Sequence, residues 1–264
     1  MWAVGLATFG LLAVIGLIDP QPVQAQGKKM YTPTGTGTIK GRVLLDGTAP
    51  KDAKIKIDPN HKDFAHCSKQ DTEDPVWVVG KDNGLANVVV YLKPPAGQVF
   101  KVDMANKTWP DEVVVEQPYC AFKPHVSIAF PKYDGKPTGQ KVIAKNNAPI
   151  LHNTRFAGNA LKNAGKNYTI AAGKQEEMTL NPDNQPIVLS CDAHKWMEAF
   201  IWAFEHPYAA VTDKDGNFEI KNAPLGPDVV VMAWHESDGK TNAGKEIKKG
   251  IKDGDTIEYK VKKK

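Results

Sequence analysis

Beyond its first 18 positions, the 264-residue chain has no long apolar run, which excludes a polytopic membrane protein. It also lacks a basic stripe with interleaved aromatics: 34 Lys and Arg stand against 30 Asp and Glu, a net charge of +4. That balance excludes a dedicated nucleic-acid binder. Repeats and low-complexity tracts are missing. With 41% hydrophobic and 24% charged residues, the chain is neither collagen-like nor wholly disordered. Helical periodicity is scarce, and only Asn159–Lys166 reads as a short helical turn. Cysteine is scarce, with three residues, Cys67, Cys120 and Cys191. An odd count in an exported protein suggests one pair and one thiol with a different task.

Export is read from the start of the chain. Met1–Ile18 is apolar, Asp19-Pro20 breaks it, and Val23-Gln24-Ala25 supplies small residues for cleavage after Ala25. No Lys or Arg precedes the apolar run. An uncleaved anchor is the alternative, since about 18 apolar residues can just span a bilayer. Either way the remainder is expected outside the cytoplasm, periplasmic or otherwise extracytoplasmic, where disulfides persist. No membrane span is expected once the signal is removed.

After a Gly/Thr/Pro-rich leader (26–37), the chain reads as short strands between turn clusters. Ile39, Val43 and Leu45 share one face of an extended stretch. Asn87–Leu92, Val113–Val115, Ile187–Leu189, Phe200–Phe204 and Val229–Trp234 are apolar or β-branched runs, while Val126, Ile128 and Phe130 alternate, as do Ile257, Tyr259 and Val261. The pattern predicts an all-β protein of two sandwiches of about 100 residues each.

The chemistry concentrates in Cys191-Asp192-Ala193-His194-Lys195-Trp196-Met197, directly after a strand, with His152 upstream. A thiolate, two imidazoles and a thioether are the donors of a mononuclear blue-copper centre, a His₂Cys plane with a long axial Met. The thiolate tolerates both copper oxidation states, and a weak thioether avoids imposing a square plane, so little moves when an electron arrives. Zinc has no use for Met. No second Cys lies near Cys191 and no His-x-His pair occurs, which argues against binuclear and multicopper sites.

Gln140–Asn153 with Ile187–Phe204 resembles the cupredoxin family, and its Cys-x2-His-x2-Met loop the amicyanin/plastocyanin-like type 1 copper proteins within it. The resemblance covers roughly residues 110–205. It implies a Greek-key sandwich holding one type 1 copper, with His152, Cys191, His194 and Met197 as ligands. It further implies that Asn153 ties the two ligand loops together, its backbone N–H pointing at the sulfur. His194 would be the partly exposed ligand through which electrons pass. Lys195-Trp196 stands where Pro-Phe is familiar, and Arg155–Asn181 reads as an insertion.

Cys67 and Cys120 are expected to form a disulfide. A second metal site in which Cys67 and Cys120 join His61, His66 and His125 is the alternative. His206 and His235 read as packed histidines without a role. Asp213–Asn217 has Gly fourth rather than sixth, so it reads as an Asp-Gly turn and not a calcium loop.

Thr38–Leu45, Asn87–Leu92, Ala210–Ile220 and Pro224-Leu225-Gly226 are similar to the carboxypeptidase regulatory-like (transthyretin-like) β-sandwich. Those stretches flank the copper segment, implying a discontinuous sandwich (38–109 and 206–264) around an inserted cupredoxin domain (110–205). Three consecutive units are the alternative. The expected function is an exported, non-enzymatic carrier of single electrons, working with redox protein partners. Copper delivery without electron transfer is the competing reading. The lysine-rich tail from Lys240 reads as solvated surface, or else as a docking face for an acidic partner.

Overall fold

The computed structural model describes residues 28–51, 53–69 and 72–263, together with Met1. The expected signal segment therefore lies, Met1 aside, outside the described residues. Almost all regular structure is strand, as the composition of short apolar runs demanded. The first half holds β1 (Gly35–Asp46), the one-turn helix α1 (Phe64–Cys67), β2 (Val89–Lys93), β3 (Glu112–Tyr119), β4 (Ala121–Lys123), β5 (Val126–Ala129) and β6 (Lys141–Lys145). The chain continues through β7 (His152–Ala157), β8 (Lys166–Ile170), β9 (Gln175–Glu177), β10 (Ile187–Ser190) and β11 (Glu198–Ala203). It ends with β12 (Ala209–Val211), β13 (Asn217–Trp234), β14 (Lys245–Ile251) and β15 (Thr256–Lys262). Among the described residues no helix is long and apolar enough to cross a membrane.

One sheet runs β12-β2-β13-β1-β15, with β14 also on β13; its strands come from both ends of the chain. The 18-residue β13 serves two layers. Residues 217–225 pair with β1, residues 230–234 with β2, and Gly226 and residues 230–233 with β14, with register shifts along the strand. Such irregularities bend a strand. Ile39, Val43, Val90, Leu92, Phe218 and Val231 fill the core enclosed by these layers.

The central segment builds two further sheets, β9-β6-β3-β4 and β8-β7-β10-β11-β5. Their shared core contains Val115, Phe122, Val142, Phe156, Leu189, Ile201, Cys191 and Met197. The stretch expected to be an insertion, Arg155–Asn181, is integral to them: β8 extends β7, and β9 crosses to pair with β6. The helical turn expected at Asn159–Lys166 is a single hydrogen-bonded turn at Asn159–Asn163, after which Lys166 opens β8. The short helix falls instead at Phe64–Cys67.

A third cluster, Val89, Tyr91, Val126, Phe200, Trp202, Phe204, Met232 and Trp234, joins the two bodies. It explains why three strands read as unbroken apolar runs. Along β2, β11 and β13 alternate side chains enter different cores: Val90 and Leu92 against Val89 and Tyr91, Ile201 against Trp202, Val231 against Met232. A strand buried on both faces has no polar face to show.

Candidate metal centre

β7 and β10 pair antiparallel with Arg155 opposite Ser190. His152 heads β7 and Cys191 follows β10, so that register brings both to the same end of the sheet. The short 191–197 loop then returns the chain into β11 and places His194 beside them. The sulfur of Cys191 lies 3.9 Å from His152 Nδ1 and 3.7 Å from His194 Nδ1. The imidazole centroids are 4.6 Å apart. Cys191 is 1% exposed and both histidines 0%.

These donors fit a transition-metal ion. Bonds of about 2.05 Å to nitrogen and 2.3 Å to sulfur, opened to a trigonal angle, separate N from S by about 3.8 Å. Burial favours the neutral imidazoles that ligation requires: desolvation, reinforced by His194, lowers the His152 pKa to about 4. Desolvation also lowers that of His194, against the upward pull of Asp63. The Cys191 thiol is pushed up by burial, while the backbone N–H groups of Asn153, His194 and Ala193 pull it down. Those same N–H groups would stabilise a thiolate held by a metal. Met197 is 2% exposed, shares the core of Cys191, and donates its backbone N–H to His194 O at 2.8 Å.

Asn153 ties the ligand loops together through its carboxamide as well as its backbone. Its Oδ1 accepts from the Cys191 thiol at 3.2 Å and from the N–H groups of Asp192 and Ala193 at 2.9 and 3.2 Å. Its Nδ2 donates to Asn167, which donates in turn to Asp192.

His194 departs from expectation. It is fully buried, not partly exposed, because the connection from β1 to β2 folds over it. Asp63 Oδ2 lies 3.1 Å from His194 Nε2, and the ring of His61 is 5.0 Å from those of His194 and Trp196. His61 Nε2 pairs with the Ala193 carbonyl, while its Nδ1 accepts from the Asp63 backbone N–H. Neither residue was expected at the Cys191 site; His61 was a candidate only for a separate second site, and Asp63 for none. Two polar residues in a loop more than a hundred positions away carry no local pattern that could have pointed to this site.

Cys67 and Cys120 form the expected disulfide, pinning α1 to the β3–β4 hairpin. Trp196 Nε1 donates to Cys120 O at 3.2 Å. The disulfide sulfurs lie within 4.8 Å of a His194 ring nitrogen. With both thiols oxidised, they do not supply the thiolates of a second metal site. His125 belongs elsewhere: its Nε2 meets Glu236 Oε1 at 2.5 Å and its Nδ1 the Glu198 carbonyl, linking the two bodies. His206 is stacked between Phe204 and Tyr208, and His235 bonds Ser237 and the Val76 carbonyl.

No family model matches the chain, and no curated protein matches it. Among solved structures it is similar to an oxidised proline-to-alanine variant of amicyanin, at 14% identity and TM-score 0.29, over 39% of this chain and 90% of that one. A methionine-to-alanine variant of amicyanin in its Cu(I) form matches at 12% identity and TM-score 0.29, over 44% and 98%. Likeness this distant decides nothing about chemistry.

Proposed function

We propose that this chain is a type 1 copper protein that carries single electrons and makes or breaks no substrate bond. The observation that carries the reading is the buried convergence of His152 Nδ1, His194 Nδ1 and the Cys191 sulfur, with both sulfur–nitrogen separations near those of a trigonal ion. His152, Cys191 and His194 would hold the ion, with the Met197 thioether as a further, weaker donor. Bound copper supplies a one-electron couple. The protein's part is to keep the donors fixed: Asn153 clamps the loop through its carboxamide oxygen, and the core excludes water. A scaffold that hardly moves between oxidation states keeps the reorganisation cost small.

Burial also separates this reading from copper delivery, which wants an open and exchangeable site. In the proposed architecture the outer sandwich, built from both ends of the chain, is a scaffold whose β1–β2 connection closes the site. The apolar N-terminal segment sends the chain out of the cytoplasm, and redox proteins are its partners.

The test is to load the protein with one equivalent of copper and cycle it with ascorbate and ferricyanide in the presence of a Cu(I) chelator. Reversible cycling with the metal retained supports electron transfer. Loss of the metal to the chelator on each reduction supports delivery instead.

A further inference from the structure

We infer that Asp63 is a positioning residue for the metal centre: its carboxylate holds the Nε2–H of His194, leaves Nδ1 bare towards the sulfur, and strengthens that nitrogen as a donor. This rests on the copper reading above and goes beyond it, because the group comes from the β1–β2 connection, outside the sheets that carry the ligands. Asp63 stands at the N-cap of α1, where an aspartate ordinarily accepts from the helix N–H groups, yet its side chain makes no such bond. It turns to His194 Nε2 instead, at 3.1 Å.

The hydrogen bonds around it leave one arrangement of protons. His61 Nδ1 accepts from the Asp63 N–H at 3.2 Å, so its proton is on Nε2 and goes to the Ala193 carbonyl at 2.9 Å. His61 thereby holds Asp63 against the ligand loop and has no lone pair left for a metal. The carboxylate can only accept, so His194 donates through Nε2, and the nitrogen facing Cys191 carries the lone pair. A carboxylate behind a ligating imidazole raises its basicity, which favours the more highly charged Cu(II). The disulfide from Cys67 anchors the segment that carries Asp63.

Three variants of the full chain test this: Asp63→Asn, Asp63→Ala and Asp63→Glu. In the metal-free protein, the ¹⁵N shifts of the His194 ring read the tautomer without reference to copper. The wild type is expected to show the proton on Nε2 alone, and Asp63→Ala a mixture of both forms. In the copper-loaded protein, Asp63→Asn keeps an acceptor but loses the charge. Its Cu(II)/Cu(I) equilibrium is expected to move about tenfold towards Cu(I), about 59 mV for one electron, with Asp63→Glu restoring most of it. An unchanged tautomer in Asp63→Ala, or an equilibrium in Asp63→Asn within twofold of wild type, overturns the inference. A wild type that takes up copper without thiolate ligation would sink the copper reading alone, since the ring tautomer still reports on Asp63.

Discussion

The carboxamide oxygen of Asn153 sits 3.2 Å from the sulfur of Cys191 and holds the next two backbone N–H groups of the ligand loop as well. One side chain on β7 therefore sets the path of the loop that follows β10. Asn153→Ala removes these bonds, two of them from part-buried backbone donors that water can reach. Its expected cost is about 1–2 kcal/mol, measured by urea unfolding of the metal-free protein, with a displaced thiolate-to-copper absorption when loaded.

The Cys67–Cys120 disulfide closes a separation of 53 residues. Replacing both cysteines with serine is expected to cost about 4 kcal/mol through the entropy of the unfolded chain. A local effect should accompany it. Freed from the hairpin, α1 no longer holds Asp63 and His61 over His194, and the metal-free variant should react at His194 with an imidazole-modifying reagent that spares the wild type. Mass mapping of the modified peptide reads this.

Trp202 is 0% exposed at the centre of the cluster joining the two bodies, and its indole N–H has no partner among the described residues. Only its bulk and ring contacts matter. Trp202→Ala should cost about 3–5 kcal/mol, whereas Trp202→Phe should cost less than about 1.5 kcal/mol. Equal losses in calorimetry would mean that the indole nitrogen has a role this packing does not give it.

Burial lowers the His206 pKa from 6.5 to about 4. The folded protein resists protonating this ring while the unfolded chain does not, so between those values the unfolded state binds more protons. Stability should therefore fall as pH drops through 6.5 and keep falling to about 4, by up to about 3 kcal/mol from this one group. His206→Phe keeps the stack between Phe204 and Tyr208 but loses the acceptor for the Tyr208 N–H. It should be slightly less stable at pH 8 and show a shallower acid slope.

The site was legible where its residues share a local signal. Cys191, His194 and Met197 stand at regular spacing in one loop between apolar strands, and His152 begins another strand. Asp63 and His61 reach the same site by tertiary folding alone. The closure of His194 therefore could not be read, and its partial exposure was wrongly expected. The apolar runs in β2, β11 and β13 announced burial but not the partner, because a run buried on two faces looks the same whichever bodies cover it. Arg155–Asn181 reads as an insertion because it departs from the family pattern between the first ligand and the rest, and its strands give little sign of burial: only Tyr168 and Ile170 of β8 face inward, and all of β9 is exposed. Edge strands with so little apolar surface give no periodic signal.

The central claim is that His152, Cys191 and His194 bind one copper ion through the thiolate. Visible absorption and electron paramagnetic resonance of the protein with one equivalent of Cu(II) test it most directly, beside Cys191→Ser. An intense thiolate-to-copper band, bleached by ascorbate and abolished in Cys191→Ser, is the predicted result. A colourless protein, or a spectrum that Cys191→Ser leaves unchanged, would contradict it.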